Sequence, residues 1–312
     1  MNSTPDSRRS WLDSLVAAPV LLLYRAFRSL SRESAEKAGR WIGYLAFILG
    51  IRRQVLRDNM SIAFPDTSFA DRNRMIRNVY LNTGRFLGNW LTMPKRLGRI
   101  ADEVTLLHPE IVRQADEQGR GLLICSAHLG NWELLASYCA ENLSPHLTIV
   151  RHKLSNSRLD RWFTDVHEMM GFGDVIKGQS VIEIFRRLHR REHIGMLVDQ
   201  SGRGSGIWIP FFGRPTSFHR GPGVIASKTG AAVVTAFCVP SVFGKWEIRV
   251  RALTVLLTGD LELDTYAVMR EYARHLEEII REFPDWYFWY HRRWKTPVPA
   301  EVSDRWNRGE LA

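Results

Sequence analysis

A histidine and a glutamate stand five positions apart in the segment Cys125-Ser126-Ala127-His128-Leu129-Gly130-Asn131-Trp132-Glu133. An imidazole titrating near neutrality can take a proton from a hydroxyl, and a carboxylate on its other nitrogen fixes the tautomer and stabilises the imidazolium. On one continuous helix, positions five apart differ by roughly 140° in azimuth, so His128 and Glu133 would not share a face. They meet only if His128 lies on a turn and Glu133 in the first turn of the helix that follows. The competing reading is a surface histidine on a loop beside a solvated glutamate at a helix start. Cys125 and Ser126 also stand near His128, but neither sits in a recognised nucleophile signature, and the G-x-S-x-G elbow is absent.

The flanking residues predict the required turn. Residues 121–126 (Gly-Leu-Leu-Ile-Cys-Ser) form a short apolar run of the kind buried on both faces of a parallel sheet. From Trp132 the period changes: Leu134, Leu135, Tyr138 and Cys139 recur at helical spacing, with Gly130 or Asn131 as the N-terminal cap. A helix start aims backbone N–H groups at such a site and favours negative charge. The amides near Gly130 and Asn131 are therefore the expected oxyanion donors.

Apolar runs and amphipathic stretches alternate after residue 119. Strands are expected at residues 147–150, 174–176, 193–198, 231–239 and 246–256, and helices at 158–170, 181–190 and 266–283. Residues 1 to about 105 read as mostly helical, with breaks at Phe64-Pro65-Asp66 and Met93-Pro94. The fold class is α/β: a mixed, largely parallel central sheet flanked by helices, with a helical N-terminal extension. The expected organisation is an extension over 1–105 and a core over 106–312, integrated as one domain. Ligands in such sheets bind beyond the carboxyl ends of the strands, where both His128 and Asp199 fall. Residues 199–222 carry five glycines before Pro222, two internal prolines, and Arg203, Arg214 and Arg220, and read as a long irregular loop. Its arginines either grip an anion or are merely solvated.

The 312 residues carry 43 Lys+Arg against 33 Asp+Glu, a formal charge of +10, which favours an anionic partner. Eleven tryptophans and 15 phenylalanines tilt that partner toward a membrane interface. Residues 15–24 and 41–51 are short apolar segments flanked by arginines, below the length of a spanning helix. They suit either interfacial helices or a core pair, and a marginal membrane-inserted N-terminal segment is a further option. Three cysteines in apolar contexts read as reduced and buried. No recognisable nucleic-acid module is present, and no metal-ligand spacing; neither a metal nor a cofactor is expected. The run Arg186-Arg187-Leu188-His189-Arg190-Arg191 is a solvated basic face or a dock for an acidic carrier or headgroups.

The H-x-x-x-x-E segment resembles that of the bacterial lipid A late (lauroyl/myristoyl-type) acyltransferases and their lysophospholipid-acyltransferase-like relatives. Further matches are Arg57 and Asn59 with Phe64-Pro65, Arg151 with Asn156 and Leu159-Asp160, and Asp199-Gln200 ahead of Pro210-Phe211-Phe212-Gly213. Thr216 before Phe218-His219-Arg220-Gly221-Pro222 and Trp289-Tyr290-His291-Arg292-Arg293-Trp294-Lys295 complete the resemblance. The F-P-E-G-T-R block of the wider glycerolipid acyltransferases is absent, which points to the lipid A branch. The chain departs from its relatives before Gly171, where it has His167-Glu168-Met169-Met170 instead of arginine.

The resemblance implies a glycerolipid-acyltransferase-like fold and O-acyl transfer from acyl-carrier protein or acyl-coenzyme A to a lipid A precursor, related glycolipid or phospholipid. It implies His128 as general base assisted by Glu133. It places Asn131, Arg151, Asn156, Asp199, Gln200, Arg203, Thr216, Arg220 and Gly221 in substrate binding, with Arg151, Arg203 and Arg220 expected on phosphate. The implied location is the cytoplasmic face of the bacterial inner membrane, peripheral or monotopic. A non-catalytic anionic-lipid-binding protein and an acyl thioesterase are the alternative functions.

Overall fold

The computed structural model describes residues 7–144, 146–176, 181–241 and 245–310, with side chains from residue 13 onward. Four helices lead the chain: α1 (Ser7–Ser29), α2 (Arg32–Ile48), α3 (Arg53–Ala63) and α4 (Phe69–Thr92). Alternation then follows as β1 (Val104–Leu107), α5 (Pro109–Glu117), β2 (Leu122–Ser126), α6 (Trp132–Asn142), β3 (Thr148–Arg151), α7 (Ser157–Met169), β4 (Gly173–Ile176), α8 (Val181–His189) and β5 (His193–Leu197). The chain closes with β6 (Ile207–Phe211), β7 (Arg214–Phe218), α9 (Gly221–Thr229), β8 (Ala232–Pro240), β9 (Trp246–Ala252), α10 (Leu261–Glu282) and α11 (Ala300–Asn307).

Seven strands form the central sheet in the order β1-β9-β8-β2-β5-β3-β4. Every pairing is parallel except β8 with β9, so the sheet is α/β and largely parallel, as the alternation predicts. Strand β2 is central and buried along its whole length, which explains its unbroken apolar run. Leu123, Cys125 and Ile194 face a layer containing α3, α9 and α10, whereas Leu122 and Ile124 face α5, α6 and α7.

Two local readings are corrected. Residues 199–222 are not an irregular loop throughout, because they contain the antiparallel hairpin β6–β7. Its two-residue turn, Phe212-Gly213, has φ 50° and 68°, as a type I′ turn requires. The alternation of buried Ile207, Ile209 and Phe211 was masked by the prolines, which face one another as the pair Pro210–Pro215. A separate two-stranded ribbon tolerates proline where a central strand does not. The second correction is β1, which straddles the end of the segment read as helical; four residues give too short a pattern to reveal period two.

The N-terminal helices are fastened to the core. Helices α2 and α4 pack backbone to backbone through Gly39 and Gly43 on one and Gly84 and Gly88 on the other. A Cβ on Gly84 would come within 2.1 Å of the Gly39 carbonyl oxygen. This contact seats Glu36 of α2, which accepts hydrogen bonds from Arg32, Arg85 and Asn89 at 3.0, 2.7 and 2.7 Å. Asn59 of α3 donates to the carbonyls of Trp289 and His291 at 2.8 and 2.7 Å, tying the C-terminal segment to the extension. Gly84→Ala is expected to cost about 1–3 kcal/mol by overpacking, measured as a lower urea midpoint. An unchanged midpoint would mean that the helices separate freely.

Candidate active site

The turn after β2 is held from three sides. Leu129 pairs with Tyr287 in an isolated antiparallel bridge, and the Phe288 N–H donates to the His128 carbonyl at 2.8 Å. Gly130 has φ +64°, and a Cβ there would lie 1.9 Å from the Cys238 carbonyl oxygen. Asn131 caps α6 by accepting from the Leu134 N–H at 3.1 Å, while its amide donates to Asn89 at 2.9 Å. The polar network under α2 and α4 therefore reaches the turn that carries His128 through Asn89. The expected oxyanion donors are corrected here: the Gly130 N–H is taken by the Trp286 carbonyl at 3.0 Å and the Asn131 N–H by that of Cys238 at 2.9 Å.

His128 Nδ1 lies 2.9 Å from Asp199 Oδ1. Asp199 follows β5, the neighbour of β2, with Ser126 opposite Leu197 in register, so the two side chains meet just beyond the strand ends. Asp199 is buried, and His128 keeps 24% of its side chain exposed. Burial disfavours both charges. It is outweighed for Asp199 by the His128 charge and hydrogen bond and by the N–H groups of His128 and Asp199, which hold the carboxyl below its usual range. Burial likewise opposes the His128 imidazolium, but Asp199, with a smaller contribution from the Glu133 charge, raises its pKa. With Nδ1 engaged, Nε2 is the nitrogen left to take a proton. Tyr287 adds its hydroxyl to Asp199.

Glu133 thus reaches His128 through charge, and its own nearest partner is His167, whose Nε2 lies 3.4 Å away. That is an ion-pair distance without the alignment of a good hydrogen bond. His167 Nδ1 is bound to Asp174 at 2.6 Å. Burial opposes the His167 charge, yet Asp174 and Glu133 outweigh it and push the pKa up to about 9. Asp174 is shared with Arg151 Nε at 2.5 Å. Arg151 also meets Asp160 at 2.6 Å, Thr164 at 2.7 Å and the His152 carbonyl at 3.1 Å.

These groups border a cleft of about 700 Å³ lined chiefly by apolar side chains of β2, β3, β5, α6 and α7. His128, Glu133, Arg151, Gln200, Arg220 and Gly221 line it. Of the arginines expected on phosphate, Arg151 is consumed by its acidic neighbours, Arg203 is exposed outside the lining, and Arg220 borders the cleft while paired to Glu262. Asn131 and Asn156 are helix caps. Thr216 is buried in the hairpin, accepting from Trp294 Nε1 at 2.9 Å. Burial pushes the Cys125 thiol up to about 12, and Ser126 donates to the Ala236 carbonyl at 2.6 Å, so neither is an activated nucleophile.

Several functional neighbours escaped sequence reasoning. Arg293 is fully buried, its guanidinium 4.1 Å from the Phe218 ring centroid and hydrogen-bonded to the Ser217 carbonyl at 2.8 Å. His291 accepts from the Ser201 N–H at 3.4 Å, and burial with Arg293 and Lys295 pushes its pKa down to about 4. The run 289–295 was the available signal for both. Tyr287, Asp174 and the role of His167 had none.

Residues 4–296 match the family described as bacterial lipid A biosynthesis acyltransferase. A phosphatidylinositol mannoside acyltransferase of Mycolicibacterium smegmatis is 27% identical over 183 residues, covering 57% of this chain and 60% of that protein. The lipid A biosynthesis palmitoleoyltransferase of Escherichia coli is 23% identical over 264 residues, 81% of each chain. The lauroyltransferase of the same organism is 22% identical over 277 residues, 86% of this chain and 88% of that one. The chain therefore spans about three fifths of the length of the mannoside acyltransferases and more of the lipid A enzymes.

Two outcomes follow from the charges. Asp199→Asn removes the anion that raises His128, so the acid limb of kcat/KM should move to lower pH. The same change should reduce kcat on the order of 10⁴-fold through loss of the tautomer; an unmoved limb would refute the coupling. His167 gains stability from a raised pKa, which is fully present below its ordinary 6.5 and lost as pH rises through about 9. Its contribution is on the order of 3 kcal/mol. Urea midpoints should fall across that window in the native protein, and Asp174→Asn should flatten the fall.

Proposed function

We propose a function from one premise: the chain belongs to the bacterial lipid A biosynthesis acyltransferase family. It moves a fatty acyl group from a thioester, on acyl-carrier protein or coenzyme A, to a hydroxyl of a lipid A precursor or related glycolipid. The observation that carries this reading is the His128–Asp199 hydrogen bond at an apolar cleft of about 700 Å³. A base poised for a hydroxyl and a long hydrocarbon-compatible cavity fit an acyl donor and an alcohol acceptor.

His128 Nε2 takes the acceptor proton as the oxygen attacks the thioester carbonyl. The tetrahedral intermediate collapses with cleavage of the C–S bond, and the departing thiolate takes the proton back from the imidazolium. Asp199 holds the ring and stabilises its positive charge throughout. Glu133 adds negative charge near His128 while remaining paired with His167. Arg220, at the cleft border, is the best placed of the three arginines to exchange Glu262 for a phosphate of donor or acceptor.

The enzyme works at the cytoplasmic surface of the inner membrane. Among the described residues no helix is long and apolar enough to cross a bilayer. Leu15 and Leu22 of α1 and Trp41, Leu45 and Ile48 of α2 are exposed instead. Asp13 of α1 receives hydrogen bonds from Asn156 and Ser157 at the start of α7, so α1 begins beside the C-terminal end of β3 and hence beside the cleft. Such helices bury an apolar face among headgroups, and the net positive charge favours anionic lipid.

The test is incubation with labelled acyl donors and a panel of glycolipid and phospholipid acceptors, with products read by mass. His128→Ala should abolish transfer while retaining the native melting temperature; full activity in that variant would sink the mechanism. Release of free fatty acid without acceptor would identify a thioesterase instead. Trp41→Glu combined with Leu45→Glu should weaken binding to anionic vesicles by at least about tenfold.

A further inference from the structure

The cleft is floored by the sheet face that α6 and α7 cover, and one position in that floor has no side chain. Gly195 lies within β5, with Ile124 of β2 opposite it on one side and Ile149 of β3 on the other. Registered residues on parallel strands point to the same face, so this row reads isoleucine, glycine, isoleucine. Glycine inside a buried strand weakens it and commonly marks a place where something approaches the backbone closely. All three residues line the cleft. A Cβ on Gly195 would stand 2.5 Å from Ile149 Cδ1 and 3.9 Å from Leu147 Cδ1, both atoms of cleft-lining side chains.

The row also has a defined depth. It lies two residues back from Ser126 and Leu197, the last residues of β2 and β5, or roughly 7 Å below the strand ends. His128 and Asp199 stand beyond those ends. A chain whose carbonyl is held at His128 therefore carries its distal methylenes, not its reacting end, down to the level of Gly195.

We propose that Gly195 sets the length of acyl chain that the cleft accepts, its missing side chain letting the end of Ile149 lie against β5 and so keeping the cleft above it open to the distal methylenes. The inference rests on the acyl-transfer reading above. Substitution here is mechanically accessible, because the nearest obstruction is the flexible end of Ile149 and not backbone. Each carbon added at position 195 subtracts room from the far part of the cleft and leaves the His128–Asp199 pair untouched.

The experiment measures kcat/KM of the full chain for a graded series of saturated acyl-CoA and acyl-carrier-protein donors. Gly195→Ala and Gly195→Val should move the optimum to progressively shorter chains. The longest donor accepted by the native protein should lose about tenfold or more, and shorter donors should be nearly unaffected. Ile149→Ala should move the optimum the other way, which preserves the test if the valine variant fails to fold. Unchanged profiles in Gly195→Ala and Ile149→Ala proteins that melt like the native one would overturn the proposal while leaving acyl transfer intact. No transfer by the native protein from any donor would overturn the acyl-transfer reading and this one with it.

Discussion

The hydrogen bond from His128 to Asp199 is the constraint around which the rest is organised. It joins groups 71 positions apart in the chain by using the adjacency of two parallel strands. A buried carboxylate is costly unless several donors hold it. Here the imidazole, two backbone N–H groups and the Tyr287 hydroxyl supply them. The geometry of the histidine thus inherits the rigidity of the sheet, and the ring needs no rearrangement when it accepts a proton.

That rigidity extends outward through backbone contacts. The segment around 286–288 clamps the turn that carries His128, and Asn59 grips the carbonyls that follow it. On the other side, close packing of α2 on α4 seats Glu36 and Asn89, and Asn89 anchors the cap of α6. The N-terminal helices are consequently part of the site's support. Their exposed leucines and tryptophan belong to the same packed body as the turn that carries His128.

The cleft combines two environments that would conflict if left unpaired. Its floor is apolar, yet Glu133, His167, Asp174, Arg151 and Asp160 stand along or behind one wall. Alternating charge makes this tolerable, since each buried ion has an opposite partner within reach. Arg151, one of the three arginines expected on phosphate, is absorbed in that arrangement. His167 stands among the same groups, and its two acidic neighbours keep it cationic through neutral pH.

Much of the fold was legible because alternation of apolar runs and helical periods is local: β2, α6, β3, α7, β5 and α10 lie where their periodicity puts them. Asn131 as a cap and His128 on a strand-to-helix turn were equally local. The hairpin β6–β7 was hidden by its own prolines, and β1 by its brevity. The partner of His128 was not legible at all from spacing. Glu133 is near in sequence but faces His167, whereas Asp199 is distant in sequence and becomes near only because β5 pairs with β2. The sequence by itself determined the chemistry available: a histidine at the end of a buried strand, an acid in the first turn of the next helix, another at the end of a second strand, and a basic, aromatic-rich composition. Only the tertiary structure decided which carboxylate meets which nitrogen, because strand order and register are set by packing across the whole sheet and leave no mark in local spacing.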